Sequence, residues 1–131
     1  MPNIDYITER ENDFIKAYSS TTSSFENKRE ETILKRAILQ KAARFYVSEE
    51  ECYRNLLRIK KKLPLKIRSR SKQLMYQEIY MRVGNILSIN KNISLPGAIR
   101  MVIYEEAPQF YISLRTAQRI LKNYRDRKRS I

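Results

Sequence analysis

Apolar residues recur at helical spacing in six stretches of the chain, and a capping residue, a proline or a polar cluster bounds each stretch. In the first stretch, Ile7, Phe14 and Tyr18 fall on one side of a helix that Asp5 can cap. The Ser and Thr cluster at 19–24 is expected to end that helix. The full pattern predicts helices over residues 6–18, 28–43, 49–63, 71–87, 95–106 and 114–127.

Three of the predicted helices start after a serine in a capping position. Ser48 is followed by Glu51 in the spacing of a capping box, and Ser94 and Ser113 precede the last two helices. Only two short Phe-Tyr segments, each followed by Val-Ser or Ile-Ser, have strand-like character. The predicted fold class is therefore all-α.

The segment from Ala42 to Leu56 is repeated 65 residues later, from Ala107 to Leu121. Six positions are identical, and Val47 and Ile112 form a conservative match. The identical pairs are Ala42 and Ala107, Phe45 and Phe110, Tyr46 and Tyr111, Ser48 and Ser113, Arg54 and Arg119, and Leu56 and Leu121. The repeat indicates two copies of one unit of about 60 residues.

Net charge is distributed unevenly along the chain, which carries +13 in total at pH 7. Residues 1–57 hold 9 Lys and Arg against 10 Asp and Glu, a net charge of −1. Residues 58–131 hold 18 against 4, a net charge of +14. So large a positive charge on a small protein favours a polyanionic partner, and nucleic acid is the usual soluble one.

Several kinds of chemistry lack the residues they need. The chain has no His and a single cysteine, Cys52, so we expect neither an intramolecular disulfide nor a metal or haem site of the usual kinds. With only two glycines, Gly84 and Gly97, it has no Gly-rich phosphate loop, and no paired carboxylates flank a nucleophile. We therefore predict that the protein is not an enzyme and has no catalytic residue, metal or cofactor.

The apolar runs are only a few residues long, and the N-terminal region is acidic rather than basic. We therefore predict neither a membrane-spanning helix nor a secretory signal. The single cysteine fits a reducing compartment. Together with the small size and the Lys-, Ile- and Asn-rich composition, this predicts a cytoplasmic protein of a bacterial or phage-infected cell.

The segment at 113–121 has a capping serine, an outward Arg119, and Ala117 and Ile120 on the inward side. With its plan of helix, loop, helix, turn and capped helix, each copy resembles the three-helix, homeodomain-like branch of helix-turn-helix DNA-binding domains. The resemblance implies that a third helix lies in the major groove while the second holds it from behind. The predicted domains are a first three-helix unit at 1–62, a basic linker at 63–72 and a second three-helix unit at 73–131.

The outward side of the last helix has the chemistry for reading DNA. Arg115 and Arg119 can each donate two hydrogen bonds to a guanine edge. Gln118 and Asn123 can bridge an adenine. The candidate residues of this helix are Arg115, Thr116, Gln118, Arg119, Lys122, Asn123 and Arg125. In the basic segment after the first copy, the candidate phosphate contacts are Lys60, Lys61, Lys62, Arg68 and Arg70.

The first copy differs at the positions that correspond to the start of this helix. Glu49, Glu50 and Glu51 stand where the second copy has Leu114, Arg115 and Thr116. Three carboxylates would repel the phosphates that a reading helix approaches. The first unit is therefore predicted to serve packing, homo-oligomer formation or contact with a protein partner.

These features predict a non-enzymatic protein that binds double-stranded DNA through its last helix, as a small regulator or accessory factor of a bacterium or mobile element. An alternative is a structural component of a phage particle or nucleoprotein assembly, with a basic half that faces nucleic acid. A further alternative is RNA binding through the basic segment and the two Phe-Tyr pairs. That function needs exposed rings for stacking, whereas core packing would bury them.

Overall fold

The computed structural model describes residues 6–24 and 28–129, which form six α-helices and no strand. The all-α class predicted from the sequence is confirmed. The helices are α1 (Tyr6–Ser24), α2 (Glu30–Ile38), α3 (Glu49–Lys60), α4 (Arg70–Ile89), α5 (Leu95–Ile103) and α6 (Leu114–Arg129).

The helix boundaries repeat at the same interval of 65 residues as the sequence. Helices α2 and α5 correspond at both ends. Helices α1 and α4 end at the corresponding residues Ser24 and Ile89. Helices α3 and α6 begin at the corresponding residues Glu49 and Leu114. The chain therefore contains one plan of three helices twice.

Serine side chains cap four of the helices. The hydroxyl oxygens of Ser48, Ser94 and Ser113 each accept a hydrogen bond at 3.1 Å from the backbone N–H three residues later. A cap of this kind stabilises a helix by about 1 kcal/mol. Ser69 makes the same bond to Lys72 at 3.2 Å, so α4 starts one residue earlier than expected.

The Ser and Thr cluster at 19–24 continues α1, whereas the sequence predicts that it ends the helix. The hydroxyl groups of Thr21, Thr22 and Ser23 donate to carbonyl oxygens four residues earlier, at 2.8, 2.8 and 3.2 Å. These bonds satisfy polar side chains without competing for the helical N–H groups. The predicted cap, Asp5, lies outside the described residues.

Helices α2 and α5 end earlier than predicted, because the chain after each of them pairs with another segment. The N–H of Ala42 donates to the carbonyl of Ala107 at 2.9 Å, and the N–H of Ala107 donates to the carbonyl of Ala42 at the same distance. This is an isolated antiparallel bridge. The apolar spacing that suggested longer helices carries no information about such a pairing.

The described residues divide into two compact units. Unit 1 is drawn from residues 1–42 and 107–131 and contains α1, α2 and α6. Unit 2 is drawn from residues 43–106 and contains α3, α4 and α5. The contiguous domains predicted at 1–62 and 73–131 differ from this division at the third helix of each copy. Each unit combines the first two helices of one copy with the third helix of the other.

Two backbone hydrogen bonds, related by the 65-residue offset, place the segments that lead to the third helices. In unit 1, the N–H of Phe110 donates to the carbonyl of Ile38 at the end of α2, at 2.9 Å. In unit 2, the N–H of Phe45 donates to the carbonyl of Ile103 at the end of α5, at 3.0 Å. Each Phe-Tyr segment thus satisfies a carbonyl at the end of the second helix of the other copy.

The core of unit 1 joins all three of its helices. Phe14 of α1 and Phe110 meet edge to face, with ring centroids 5.4 Å apart and planes at 84°. Such a pair contributes about 0.5–1.5 kcal/mol beyond the area it buries. Leu34 and Ala37 of α2 and Ile120 of α6 are also fully buried.

Unit 2 has Ile79 and Phe45 at the positions that correspond to this aromatic pair, and both are buried. The guanidinium carbon of Arg82 lies 5.0 Å from the ring centroid of Phe45. The Arg82 side chain also donates to a carboxylate oxygen of Glu78 at 2.8 Å and to the carbonyl of Glu106 at 3.1 Å. One half-buried side chain therefore links α4 to the chain that follows α5.

We expect the two halves of the chain to stay together after the loop between α3 and α4 is cut. A protease site inserted after Lys66 would separate a fragment with α1, α2 and α3 from one with α4, α5 and α6. Because each compact unit contains helices from both fragments, they should co-elute in size-exclusion chromatography and keep the helical circular dichroism signal of the uncut protein. Elution as two separate species would contradict an arrangement in which the two copies exchange their third helices.

We also expect Gly84→Ala to stabilise the protein. Gly84 is an exposed residue inside α4, and a Cβ added there meets no atom within 4 Å. The gain should be about 0.5–1 kcal/mol, because alanine loses less backbone entropy in a helix. Chemical denaturation measures it, and a lower midpoint than that of the parent protein would contradict the expectation.

Gly97→Ala is the matched control for this variant. A Cβ at Gly97 would lie 3.2 Å from the capping oxygen of Ser94. The Ser94 side chain would have to shift, so Gly97→Ala should stabilise the protein less than Gly84→Ala does.

Candidate nucleic-acid interface

Helix α6 begins with a cap that uses one of the predicted site residues. The hydroxyl of Ser113 accepts from the backbone N–H of Thr116 and donates to its hydroxyl oxygen, both at 3.1 Å. Thr116 is half-buried. Its side chain therefore takes part in starting the helix, and Thr116 is the predicted residue least available to a ligand.

The inward side of α6 agrees with the sequence pattern. Ala117, Ile120 and Leu121 are buried in unit 1, and Leu114 and Tyr124 are half-buried. This spacing places the apolar stripe on one side of the helix. The opposite side is therefore left to solvent or to a ligand.

The outward side of α6 carries the other predicted residues. Their positions repeat at intervals of three and four residues, so they share one face of the helix. The exposed residues are Arg115, Gln118, Arg119, Lys122, Asn123 and Arg125. The structure brings these six side chains together on unit 1.

Arg125 has a protein partner that the sequence did not predict. Its guanidinium donates to a carboxylate oxygen of Glu30 at 3.0 Å, across 95 residues of sequence. The two side chains are about half exposed, so the ion pair contributes at most about 1 kcal/mol. Arg125 therefore ties α6 to the N-terminus of α2.

The C-terminal turns of α6 extend the positive surface. Arg127, Lys128 and Arg129 are exposed, and the ammonium of Lys128 lies 4.8 Å from the ring centroid of Tyr124. Over its whole length, α6 contains seven Lys and Arg and one acidic residue, Asp126. These charges can contact phosphates without reading bases.

The predicted residues of the basic segment lie in unit 2, whereas those of α6 lie in unit 1. Lys60 ends α3, Lys61 and Lys62 follow it, and Arg70 starts α4. All of these side chains and that of Arg68 are exposed. The twelve predicted site residues are thus divided between two units, with seven in unit 1 and five in unit 2.

This division also changes the distribution of charge. Residues 1–42 and 107–131 together hold 14 Lys and Arg against 8 Asp and Glu, a net charge of +6. Residues 43–106 hold 13 against 6, a net charge of +7. The positive charge that lies almost entirely in the second half of the sequence is shared nearly equally by the two compact units.

The acidic start of α3 is partly neutralised within unit 2. The guanidinium of Arg100 on α5 donates to a carboxylate oxygen of Glu49 at 2.7 Å. The side chains of Glu50 and Glu51 occupy the same first turn, near the positive end of the helix dipole. Spacing along the sequence could not reveal the pair between Glu49 and Arg100, because it depends on which of the two third helices packs against α5.

The two Phe-Tyr pairs belong to the cores. Phe45, Tyr46, Phe110 and Tyr111 are all buried, with at most 8% of their surface exposed. Their rings therefore offer no stacking platform of the kind that single-strand binders use. Tyr111 has a φ of +48°, a conformation that is uncommon for a bulky residue.

Cys52 is fully buried in α3, and burial raises the pKa of its thiol from the ordinary 9.0 to about 12. A thiol that stays protonated is a poor nucleophile and a poor metal ligand. Among residues 6–24 and 28–129, no three Cys, Asp or Glu side chains are grouped so that they could hold a metal ion. No helix within these residues combines the length and apolar character needed to cross a membrane.

No family model matches the chain, and no curated protein or solved structure matches it either. The geometry of α6 and the charges around it therefore provide the indications of function.

We expect the Cys52 thiol of the folded protein to react very slowly with Ellman's reagent. Unfolding in guanidinium should expose it and restore the rate of a free thiol, which provides the control. Because the folded pKa is raised, this thiol makes folding less favourable as pH rises from about 9.0 toward about 12. Cys52→Ala should show less of this alkaline loss, and rapid labelling of the folded protein would contradict the burial.

Proposed function

We propose that the chain is a non-enzymatic DNA-binding protein that contacts double-stranded DNA through the outward side of α6. The observation that supports this most directly is the division of α6 into a buried apolar side and an exposed side of cations and amides. Ala117, Ile120 and Leu121 hold the helix in unit 1. Arg and amide side chains are then presented outward by a rigid element.

The outward side fits the major groove in size and chemistry. An α-helix with its side chains is about 10–12 Å across. The major groove is about 12 Å wide and admits one α-helix. The Arg and amide groups can recognise guanine and adenine edges, and Lys122 can contact a phosphate.

The rest of unit 1 supports α6 in this role. In the three-helix family that the copies resemble, a second helix holds the reading helix from behind. Here α2 packs against α6, and the Arg125–Glu30 ion pair joins them. The helix that braces α6 is therefore from the other copy, because α5 belongs to unit 2.

Phosphate contacts complete the proposed interface. Arg127, Lys128 and Arg129 extend the positive charge of α6 beyond its base-reading positions. Because each neutralised phosphate releases counterions, binding should weaken steeply with salt. Six to ten contacts would reduce affinity by about 10³ to 10⁵ between 50 and 200 mM salt.

We expect Arg115→Ala with Arg119→Ala to lose much of the affinity for a selected DNA site. If both side chains contact bases, each is worth about 1–3 kcal/mol, so the double variant should bind at least about thirtyfold more weakly. A salt series of duplex binding by fluorescence anisotropy, after selection of a preferred site from random DNA, measures the loss.

The control is Arg127→Ala with Arg129→Ala, which removes the same charge from exposed positions of the same helix. It should weaken specific and random duplexes to a similar extent, and it should lower the salt slope by about 1 for each phosphate that is no longer neutralised. Equal losses in both double variants on every duplex would show that α6 does not read bases. Displacement of duplex DNA by single-stranded RNA would favour RNA binding instead.

A further inference from the structure

An open groove lies in unit 2 beside the C-terminal half of α3. Its volume is about 460 Å³, which is within the range of sites that bind small ligands or side chains. Two of its lining residues, Leu57 and Leu63, are apolar. The other lining residues are Arg54, Asn55, Arg58 and Lys61.

The backbone after α3 builds one wall of this groove. The N–H of Leu63 donates to the carbonyl of Arg58 at 2.8 Å, and the N–H of Lys62 donates to the carbonyl of Ile59 at 3.0 Å. These two bonds form a Schellman motif, which commonly ends a helix. The Arg58 side chain also donates from Nε to the carbonyl of Pro64 at 2.9 Å. The groove is therefore held in shape by hydrogen bonds at both ends of the turn.

Lys62 occupies the left-handed position of this motif, with a φ of +59°. Glycine is the usual residue there, because a Cβ is unfavourable in that conformation. The chain thus has a positive side chain at a position where backbone conformation alone favours none.

The charge of the groove has one sign. Arg54, Arg58 and Lys61 line it, and no acidic residue of 6–24 or 28–129 does. Arg54 and Lys61 are exposed, and neither forms an ion pair within residues 6–24 and 28–129. An anionic ligand is therefore favoured at the rim.

The apolar lining residues Leu57 and Leu63 select among anionic ligands. Leu63 is 47% exposed although it is a large aliphatic residue. Aliphatic side chains suit the apolar side chains of a peptide, whereas single-stranded nucleic acid is usually held by aromatic stacking. Within the described part of the chain, no aromatic residue lines the groove. A second groove of about 540 Å³ is also lined by Leu63, together with Pro64, Gln73 and Gln77.

These observations point to a docking site for a short acidic peptide segment of a partner protein, and we propose that function for the groove. The carboxylates of the peptide pair with Arg54, Arg58 and Lys61, and its apolar side chains rest on Leu57 and Leu63. The site lies in unit 2, and its occupancy does not depend on DNA binding by α6.

A short fluorescein-labelled peptide in which glutamates surround leucines serves as the probe for the full-length protein. We expect saturable binding by anisotropy, and little binding of a peptide with glutamine in place of each glutamate. Leu63→Ser and Arg54→Ser should each weaken binding by about fivefold or more. Circular dichroism and thermal unfolding check that the variants remain folded.

Matched controls come from exposed residues of the same unit that lie outside the groove. Ile89→Ser removes an apolar side chain that is 86% exposed, and Lys91→Ser removes an exposed cation. Both controls should bind the peptide as the parent protein does. The proposal is overturned if the controls weaken binding as much as the groove variants, if the glutamine peptide binds equally well, or if only labelled single-stranded RNA binds in a manner that depends on Leu63.

Discussion

Buried backbone N–H and C=O groups beyond the end of a helix need hydrogen-bond partners, and this requirement determines which helices pack together in this chain. After α2 and α5, the backbone groups of one copy pair with those of the other, since Ala42 and Ala107 each donate a hydrogen bond to the carbonyl of the other. A few residues later, Phe45 and Phe110 donate to carbonyls at the ends of α5 and α2. These bonds direct α3 to α4 and α5, and α6 to α1 and α2. The packing of the third helices depends on this pairing.

The same pairing decides which charges become neighbours. Had each copy kept its own third helix, the strongly basic α6 would share a unit with α4 and α5. Instead, α6 lies beside α2, whose first turn contains Glu30 and Glu31, and one of these carboxylates holds Arg125. In unit 2, Arg100 faces the acidic start of α3. Each ion pair joins residues of different copies and reduces the local excess of one sign of charge.

The sequence was sufficient to predict six helices, three of the four serine caps and the buried side of α6, because these features depend on local spacing. It could not predict the exchange, since apolar spacing shows which side of a helix is buried but not which copy covers it. The copies are alike at Leu56 of α3 and Leu121 of α6, which are both buried, so either third helix has an apolar side of the required kind. The Arg125–Glu30 pair depends on the packing of α6 against α2. The groove at Leu63 depends on the left-handed conformation of Lys62. No local sequence pattern signals either feature. The predicted reading residues lie together on α6, whereas those of the basic segment belong to the other unit.

The order of the helices has a consequence for synthesis on the ribosome. Unit 2 is a continuous stretch of chain, so it can fold as soon as residues 43–106 have emerged. Unit 1 cannot be completed then, because the partner of Phe14 in its core is Phe110, which emerges after unit 2. During that interval the apolar sides of α1 and α2 lack their third partner, which is a state in which nascent chains are prone to associate or to recruit chaperones. The exchange of third helices therefore also leaves α1 and α2 without part of their core until α6 has been synthesised.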